Sequence, residues 1–357
     1  MTYTVISDIH LGCKRQGGTT PQSQQALKDY LQKSFYDFLH VNKRHDLIIA
    51  GDLFDNFEVD PRDILACFSA LQDFTADSGR SIVLIAGNHD YSPKGSRLSS
   101  FHFLAALLQQ SLENEVQIID SRLTEIDDGL WAIPHMPNQD LFDLELGKAL
   151  RLNPEDISAL KNPITHLILH ANYDNKFCLK SDHSLNVSRE VAQQFAEKGI
   201  TLLFAHEHQA KADLGGKVVI LGNQWPSSVA DCLGNDFKCA HTLEGGELKR
   251  AETWSRAGPN GYAEIDWRDL DAEVDAKFIR ITGTALAEEA EAVIEAISKY
   301  RAKSSAFVVG NAVKVDGLAE MDSLEAASAE TIKSFDVFGA LLEGMSERES
   351  EVLRSLV

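Results

Sequence analysis

Long apolar runs are missing from this chain. No stretch approaches the roughly 18 consecutive apolar residues of a membrane-crossing helix, so none is expected to span a bilayer. Cysteine is scarce: five residues in 357 (Cys13, Cys67, Cys178, Cys232 and Cys239), odd in number, scattered and without a C-x-x-C pair. That argues against a disulfide framework or a zinc knuckle and predicts reduced thiols in a cytoplasm. There is no internal repeat and no low-complexity tract. A cleaved leader is not expected, because Tyr3-Thr-Val-Ile-Ser already reads as a buried strand running into Asp8. Positive charge is also short: 34 Lys and Arg face 54 Asp and Glu, a net charge of −20. Nucleic-acid binders usually present a basic face, and the charge alone argues against one. Carboxylates covered by metal ions would not repel a polyanion, however, and many of the others fall in the C-terminal third. The acidity therefore predicts weak nucleic-acid binding by the isolated chain and help from a partner.

What the chain does have is alternation. Hydrophobic residues make up 44% of it, ample for a core, and its length suits one large domain or a catalytic domain with a smaller companion. Short β-branched runs alternate with longer helical stretches up to about residue 225, which predicts an α/β domain. The clearest strands are Tyr3–Ile6, Leu47–Ala50, Ile82–Ala86, Leu130–Ile133, His166–Leu169, Leu202–Phe204 and Val218–Leu221. Asp60-Pro61 opens one helix, with Pro at its first position, and Gly79 closes it. Ser96–Gln110, rich in Phe and Leu, predicts a second. Gly258-Pro259-Asn260-Gly261 is a turn cluster and an expected domain boundary. Beyond it, a strand at Lys277–Thr282, an amphipathic helix at Glu288–Arg301 and a strand at Ala306–Val315 predict a small β-α-β unit. Ala319–Glu330 reads as a linker, and two short helices are expected around Gly344, the second with a capping box at Ser346 and Glu349.

Five short motifs follow in order, most at or just after the end of a predicted strand: Asp8-Ile-His10, Gly51-Asp52-Leu-Phe-Asp55, Gly87-Asn88-His89-Asp90, His170, and Ala205-His206-Glu-His208. Singly, D-x-H and a lone histidine are commonplace. G-D-x-x-D and G-N-H-D are more specific, since glycine lets the chain turn sharply and the polar residues then project from the sheet edge where open α/β sheets bind ligands. All five together are hard to explain by chance. Carboxylate, imidazole and amide-oxygen donors suit divalent Mn, Fe or Zn, and no cysteine occurs in any motif, which argues against a structural zinc. Two such ions roughly 3.5–4 Å apart can clamp the attacking and leaving oxygens of a phosphoryl displacement, and a bridging carboxylate would hold them that close.

Over about residues 3–225 this pattern resembles the calcineurin-like metallophosphoesterases. The resemblance implies an αββα sandwich of two β-sheets flanked by helices. It implies that Asp8, His10, Asp52 and His208 hold one metal, that Asp52, Asn88, His170 and His206 hold the other, and that Asp52 bridges them. It makes His89 the general acid, with Asp55 as its partner. Ala205 departs from the glycine of many members, by one methyl.

Within the superfamily the chain is similar to the SbcD-type nucleases. Ser7-Asp-Ile-His-Leu-Gly12 and Gly51-Asp-Leu-Phe-Asp55 match that branch, as does the segment Leu221–Asp231, particularly in phage versions. The resemblance implies a manganese-dependent 3′→5′ exonuclease on duplex ends and endonuclease on single strands. Such an enzyme serves DNA end processing in repair, recombination or replication, in a bacterial cytoplasm or that of a phage host. It implies a nuclease domain over 1–256, a capping domain over 257–318, and over 319–357 a linker and helices that dock on an SbcC-like SMC-type ATPase. It also implies a homodimer through the helices near 61–77 and 98–110. Lys14, Arg15, Lys94, Arg97, Lys176 and Lys180 are candidate DNA-backbone contacts. His135, between Pro134 and Pro137, is expected near the site but not as a ligand. Two other readings compete: an esterase for nucleotides, cyclic nucleotides or other small phosphoesters, and a catalytically silent scaffold.

Overall fold

The structure is a computed structural model that describes residues 2–13, 21–91, 97–151, 163–176, 185–234 and 236–316. Near-continuous apolar runs form the strands because most strands are covered on both faces. In β1 (Thr2–Ile6) Val5 points one way and Ile6 the other, and in β2 (Asp46–Ala50) Ile48 and Ile49 divide in the same way. These two strands join β3 (Ile82–Ile85) and β4 (Val116–Ile119) in a parallel array. The second sheet is built on β5 (Thr124–Asp127), β6 (Leu130–Ile133), β7 (His166–His170), β8 (Thr201–Ala205), β9 (Lys211–Asp213) and β10 (Val218–Ile220). Its order is β9-β10-β8-β7-β6-β5, with the four central strands parallel and both edge strands antiparallel. A hairpin, β11 (Phe237–Glu244) and β12 (Glu247–Ser255), completes the first sheet in the order β12-β11-β1-β2-β3-β4.

The core lies in three layers. Val5, Ile48 and Ile85 of the first sheet meet Ile168, Leu203 and Val219 of the second. Outside the first sheet pack α1 (Pro21–Val41), α2 (Pro61–Ser78) and α3 (Ser100–Leu112), through residues such as Phe35, Leu71 and Leu104. Outside the second pack α4 (Gln139–Arg151) and α5 (Arg189–Glu197), through Phe142 and Phe195. The fold is the expected αββα sandwich.

Local chemistry explains most boundaries. The Asp60 carboxylate accepts from the Arg62 amide at the start of α2, and Gly79 (φ 64°) ends it in the left-handed region, its N–H donating to Thr75. The second predicted helix begins at Ser100 rather than Ser96, because the Ser99 hydroxyl accepts from the His102 amide and caps it. α1 was not foreseen, although Leu27, Leu31, Phe35 and Leu39 form a four-residue stripe against the first sheet. Nor was the β11–β12 hairpin. Its Gly245-Gly246 turn has φ 57° and 85°, the two positive values of a type I′ turn.

The chain folds as two compact units. Among the described residues, one holds those within 2–263, 273–279 and 301–310; the other holds 264–272, 280–300 and 311–316. In the second unit Thr284–Leu286 pairs in parallel with Lys314–Asp316. The predicted strand over Lys277–Thr282 spans Phe278–Thr282, and the predicted helix spans Ala290–Lys303. The strand expected over Ala306–Val315 is two shorter ones, Val308–Asn311 and Lys314–Asp316. The linker and the terminal helices lie outside the described residues. Cys13, Cys67, Cys232 and Cys239 are buried and in no disulfide, and Cys178 lies outside the described residues. No helix among the described residues is long and apolar enough to cross a membrane.

Candidate metal centre

The five motifs leave the C-terminal ends of β1, β2, β3, β7 and β8, so two parallel arrays deliver them to one edge of the sandwich. The first two loops are zipped together. The Asp8 amide donates to Gly51 (3.0 Å), His10 to Asp52 (3.1 Å), Leu11 to Leu53 (2.9 Å) and Asp55 to Leu11 (3.0 Å). Four motif residues adopt left-handed backbone: Asp8 (φ 52°), His10 (54°), Asp52 (50°) and His206 (87°). Such conformations cost about 1–3 kcal/mol each and persist only where the surroundings over-determine them. A Cβ at Gly51, itself at φ 92°, would lie 2.0 Å from His170 Nδ1. Gly87 has no positive φ, and its role is close approach rather than the expected sharp turn: a Cβ there would lie 2.2 Å from Asp52 Oδ1.

The side chains converge in three overlapping groups: Asp8, His10 and His208; His10, Asp52 and His89; and Asp52, His170 and His206. Within each group the potential ligand atoms lie within 4.8 Å of one another. His10 Nε2 and His208 Nε2 face each other at 3.0 Å. Asn88 Oδ1 lies 2.9 Å from both His170 Nε2 and His206 Nδ1. Asp52 lies between the groups, Oδ1 3.4 Å from His170 Nε2 and Oδ2 4.0 Å from His10 Nε2. The two sheets are tied here as well. The His206 amide donates to both oxygens of Asp8 (3.2 and 3.1 Å), and His170 Nδ1 faces the Ala50 carbonyl at 3.1 Å.

Charge matches this geometry. Burial opposes ionisation of His10, but contact with Asp55 and the charges of Asp52 and Asp8 outweigh it and push its pKa up to about 9. His170 is likewise buried yet raised to about 9 by Asp52. Burial and the neighbouring His170 push His206 down to about 3. Despite burial, Asp52 is held well below the usual carboxylate range by His170, His89 and His10. This mixed set of imidazole, carboxylate and amide oxygen fits two divalent cations, which would take the place of the protons. Asp90, the last residue of G-N-H-D, serves the scaffold. Its carboxylate accepts from the amides of Gly87 (2.9 Å) and Phe54 (3.2 Å), joining the second loop to the third.

His89 lies at the rim of the groups, Nε2 3.9 Å from Asp52 Oδ2. Its expected pairing with Asp55 takes a different form. The main-chain carbonyl of Asp55 lies 2.7 Å from His89 Nδ1, whereas the Asp55 carboxylate lies 3.4 Å from His10 Nδ1. His135 is buried nearby, its ring 6.5 Å from that of His170, and belongs to none of the three groups. Arg97 and Lys176 are exposed, while Lys14, Arg15, Lys94 and Lys180 lie outside the described residues. Not anticipated was a role for Asp231, whose Oδ1 lies 2.9 Å from His208 Nδ1. The two are 23 residues apart, too far for any spacing rule to link them.

A two-sheet sandwich carrying a divided set of carboxylate, imidazole and amide donors along one edge is the framework of a metal-dependent hydrolase of phosphoesters. Comparison with protein families gives the same result: residues 1–210 match the calcineurin-like phosphoesterase model, and the chain belongs to that family. No curated protein matches it. One similar solved structure is a dimetal phosphatase from Danio rerio, 12% identical, covering 71% of this chain and 97% of that one, with a TM-score of 0.36.

Proposed function

We propose that this phosphoesterase is a two-metal DNA nuclease of the SbcD type. The observation that carries its hydrolytic half is the placement of Asp52 between two groups of ligand-type side chains. In this reading Asp8, His10, Asp52 and His208 hold one ion and Asp52, Asn88, His170 and His206 the other. Two divalent ions, with manganese the first choice, would supply Lewis-acid polarisation of the phosphate and activation of the attacking water. His89 supplies the proton. A carbonyl oxygen can only accept, so the Asp55 carbonyl keeps a hydrogen on His89 Nδ1 and leaves Nε2 as the position that exchanges its proton. As water oxygen bonds to phosphorus and the P–O3′ bond breaks, Nε2–H protonates the departing O3′. Choice of DNA over a smaller ester rests on the motif and Leu221–Asp231 resemblances to that branch and on the chain that follows the core.

The test is a plasmid-nicking and duplex-end assay with Mn²⁺, run beside cyclic and free nucleotides. DNA cleavage that EDTA abolishes is expected; turnover of the small esters alone would overturn the DNA reading. In the same assay His89→Ala should retain bound metal and lose ~10²–10⁴-fold in turnover. Full activity in the metal-loaded variant would remove His89 from the mechanism.

A further inference from the structure

Each ligand-type histidine needs something to fix its ring. For His10 and His170 that is packing, since their side chains are only 4% and 1% exposed. His208 is different: its side chain is 27% exposed, so packing alone leaves the imidazole free to turn. Its other ring nitrogen, Nδ1, faces Asp231 Oδ1 at 2.9 Å. The carboxylate contacts of His10 with Asp55 and of His170 with Asp52 are longer, 3.4 Å each.

Asp231 is itself held firmly. It is 4% exposed, and its Oδ2 accepts from Asn223 Nδ2 (3.0 Å), the Ser227 amide (2.8 Å), the Ser227 hydroxyl (2.9 Å) and the Ser228 amide (3.1 Å). Four donors on one oxygen aim the other at the imidazole. Those four donors are what an ionised carboxylate accepts from. Buried Lys238 then grips His208 from behind, donating to its main-chain carbonyl (2.8 Å) and to Asn223 Oδ1 (2.6 Å).

We infer that Asp231 is a positioning residue for metal binding: by accepting from Nδ1–H it fixes the His208 tautomer and makes the position served by Asp8, His10 and His208 the tighter of the two. An anionic acceptor raises the basicity of the ligating nitrogen opposite and stops the ring rotating. At the second position the contrast is with His170. Its Nδ1 faces a neutral carbonyl, that of Ala50, at 3.1 Å. The two positions should therefore fill in order.

This inference rests on the two-metal reading above, and calorimetric titration of the full-length apoprotein with Mn²⁺ tests the two separately. Wild type should bind two ions with resolved affinities. Asp231→Asn should weaken the tighter class on the order of 10–100-fold and leave the weaker class in place, while Lys238→Met, which spares the ring contact, should move it less. Wild type binding fewer than two ions would overturn the site reading itself. Two unchanged affinities in folded Asp231→Asn, or equal loss at both positions, would overturn the role of Asp231 alone. Should that variant fail to fold, nitrogen-15 histidine spectra of the wild-type apoprotein decide the matter: His208 must carry its hydrogen on Nδ1, and the opposite tautomer refutes the inference.

Discussion

Gly87 shows how little room the site leaves. Its backbone is open to any residue, yet a methyl there would collide with Asp52 Oδ1 at 2.2 Å and with the Asp52 amide at 2.3 Å. Gly87→Ala should therefore displace the carboxylate shared by the two groups, with Mn²⁺ affinity falling on the order of 10–100-fold and secondary structure retained. Calorimetry beside circular dichroism checks this, and unchanged affinity would show that Asp52 can shift without loss. At this scale the sequence was legible where a motif is contiguous: the residues of D-x-H, G-D-x-x-D, G-N-H-D and H-x-H, with His170, all reach one place. It was not legible where the contact is made by the main chain or across loops. No pattern of residue types could say that His89 would meet the carbonyl of Asp55 and His10 its carboxylate, nor that Asp231 would stand behind His208.

Elements were read best where burial on both faces made them continuously apolar. The strands predicted around Ile6, Ile48, Leu84, Ala132, Ile168, Leu203 and Val219 are all present. Amphipathic elements of mixed composition were harder. In α1 glutamine, lysine and aspartate separate the buried Leu27, Leu31, Phe35 and Leu39, and the stripe shows only when every fourth residue is counted. The hairpin strand β12 is mostly exposed and charged, so hydrophobicity could not reveal it, although its Gly-Gly turn was a usable sign. The displaced start of α3 comes down to one hydroxyl. Ser99 is buried and caps the His102 amide at 3.2 Å; Ser99→Ala should cost about 0.5–2 kcal/mol of stability. Chemical denaturation reads this directly, and no change in midpoint would mean that water or a neighbour replaces the cap.

The whole molecule raises the question of partners. On α2 and α3, Ile64, Phe68, Leu71, Phe101 and Leu104 pack inward on the chain's own core. Leu65 (56% exposed) and Phe103 (43%) do not, and Leu98 just before α3 is 69% exposed. We propose that these residues meet their copies in a homodimer. Sedimentation should show a dimer at micromolar concentration that Leu65→Asp with Phe103→Asp converts to monomer; a wild-type monomer would rule it out. The C-terminal segment supports a separate proposal. Removal of residues 331–357 should leave cleavage of a small phosphodiester intact and abolish co-purification with an SbcC-like ATPase. Undiminished binding by the shortened chain would place the docking surface elsewhere.

The hydrogen bonds from the His206 amide to Asp8, and the contact of His170 with the Ala50 carbonyl, have a consequence for the whole sandwich. They join the first sheet to the second at the very edge where the ligand-type residues stand. The spacing between the two halves of the centre is thereby gauged by the protein's own hydrogen bonds, so that a cation would meet an edge already joined across both sheets.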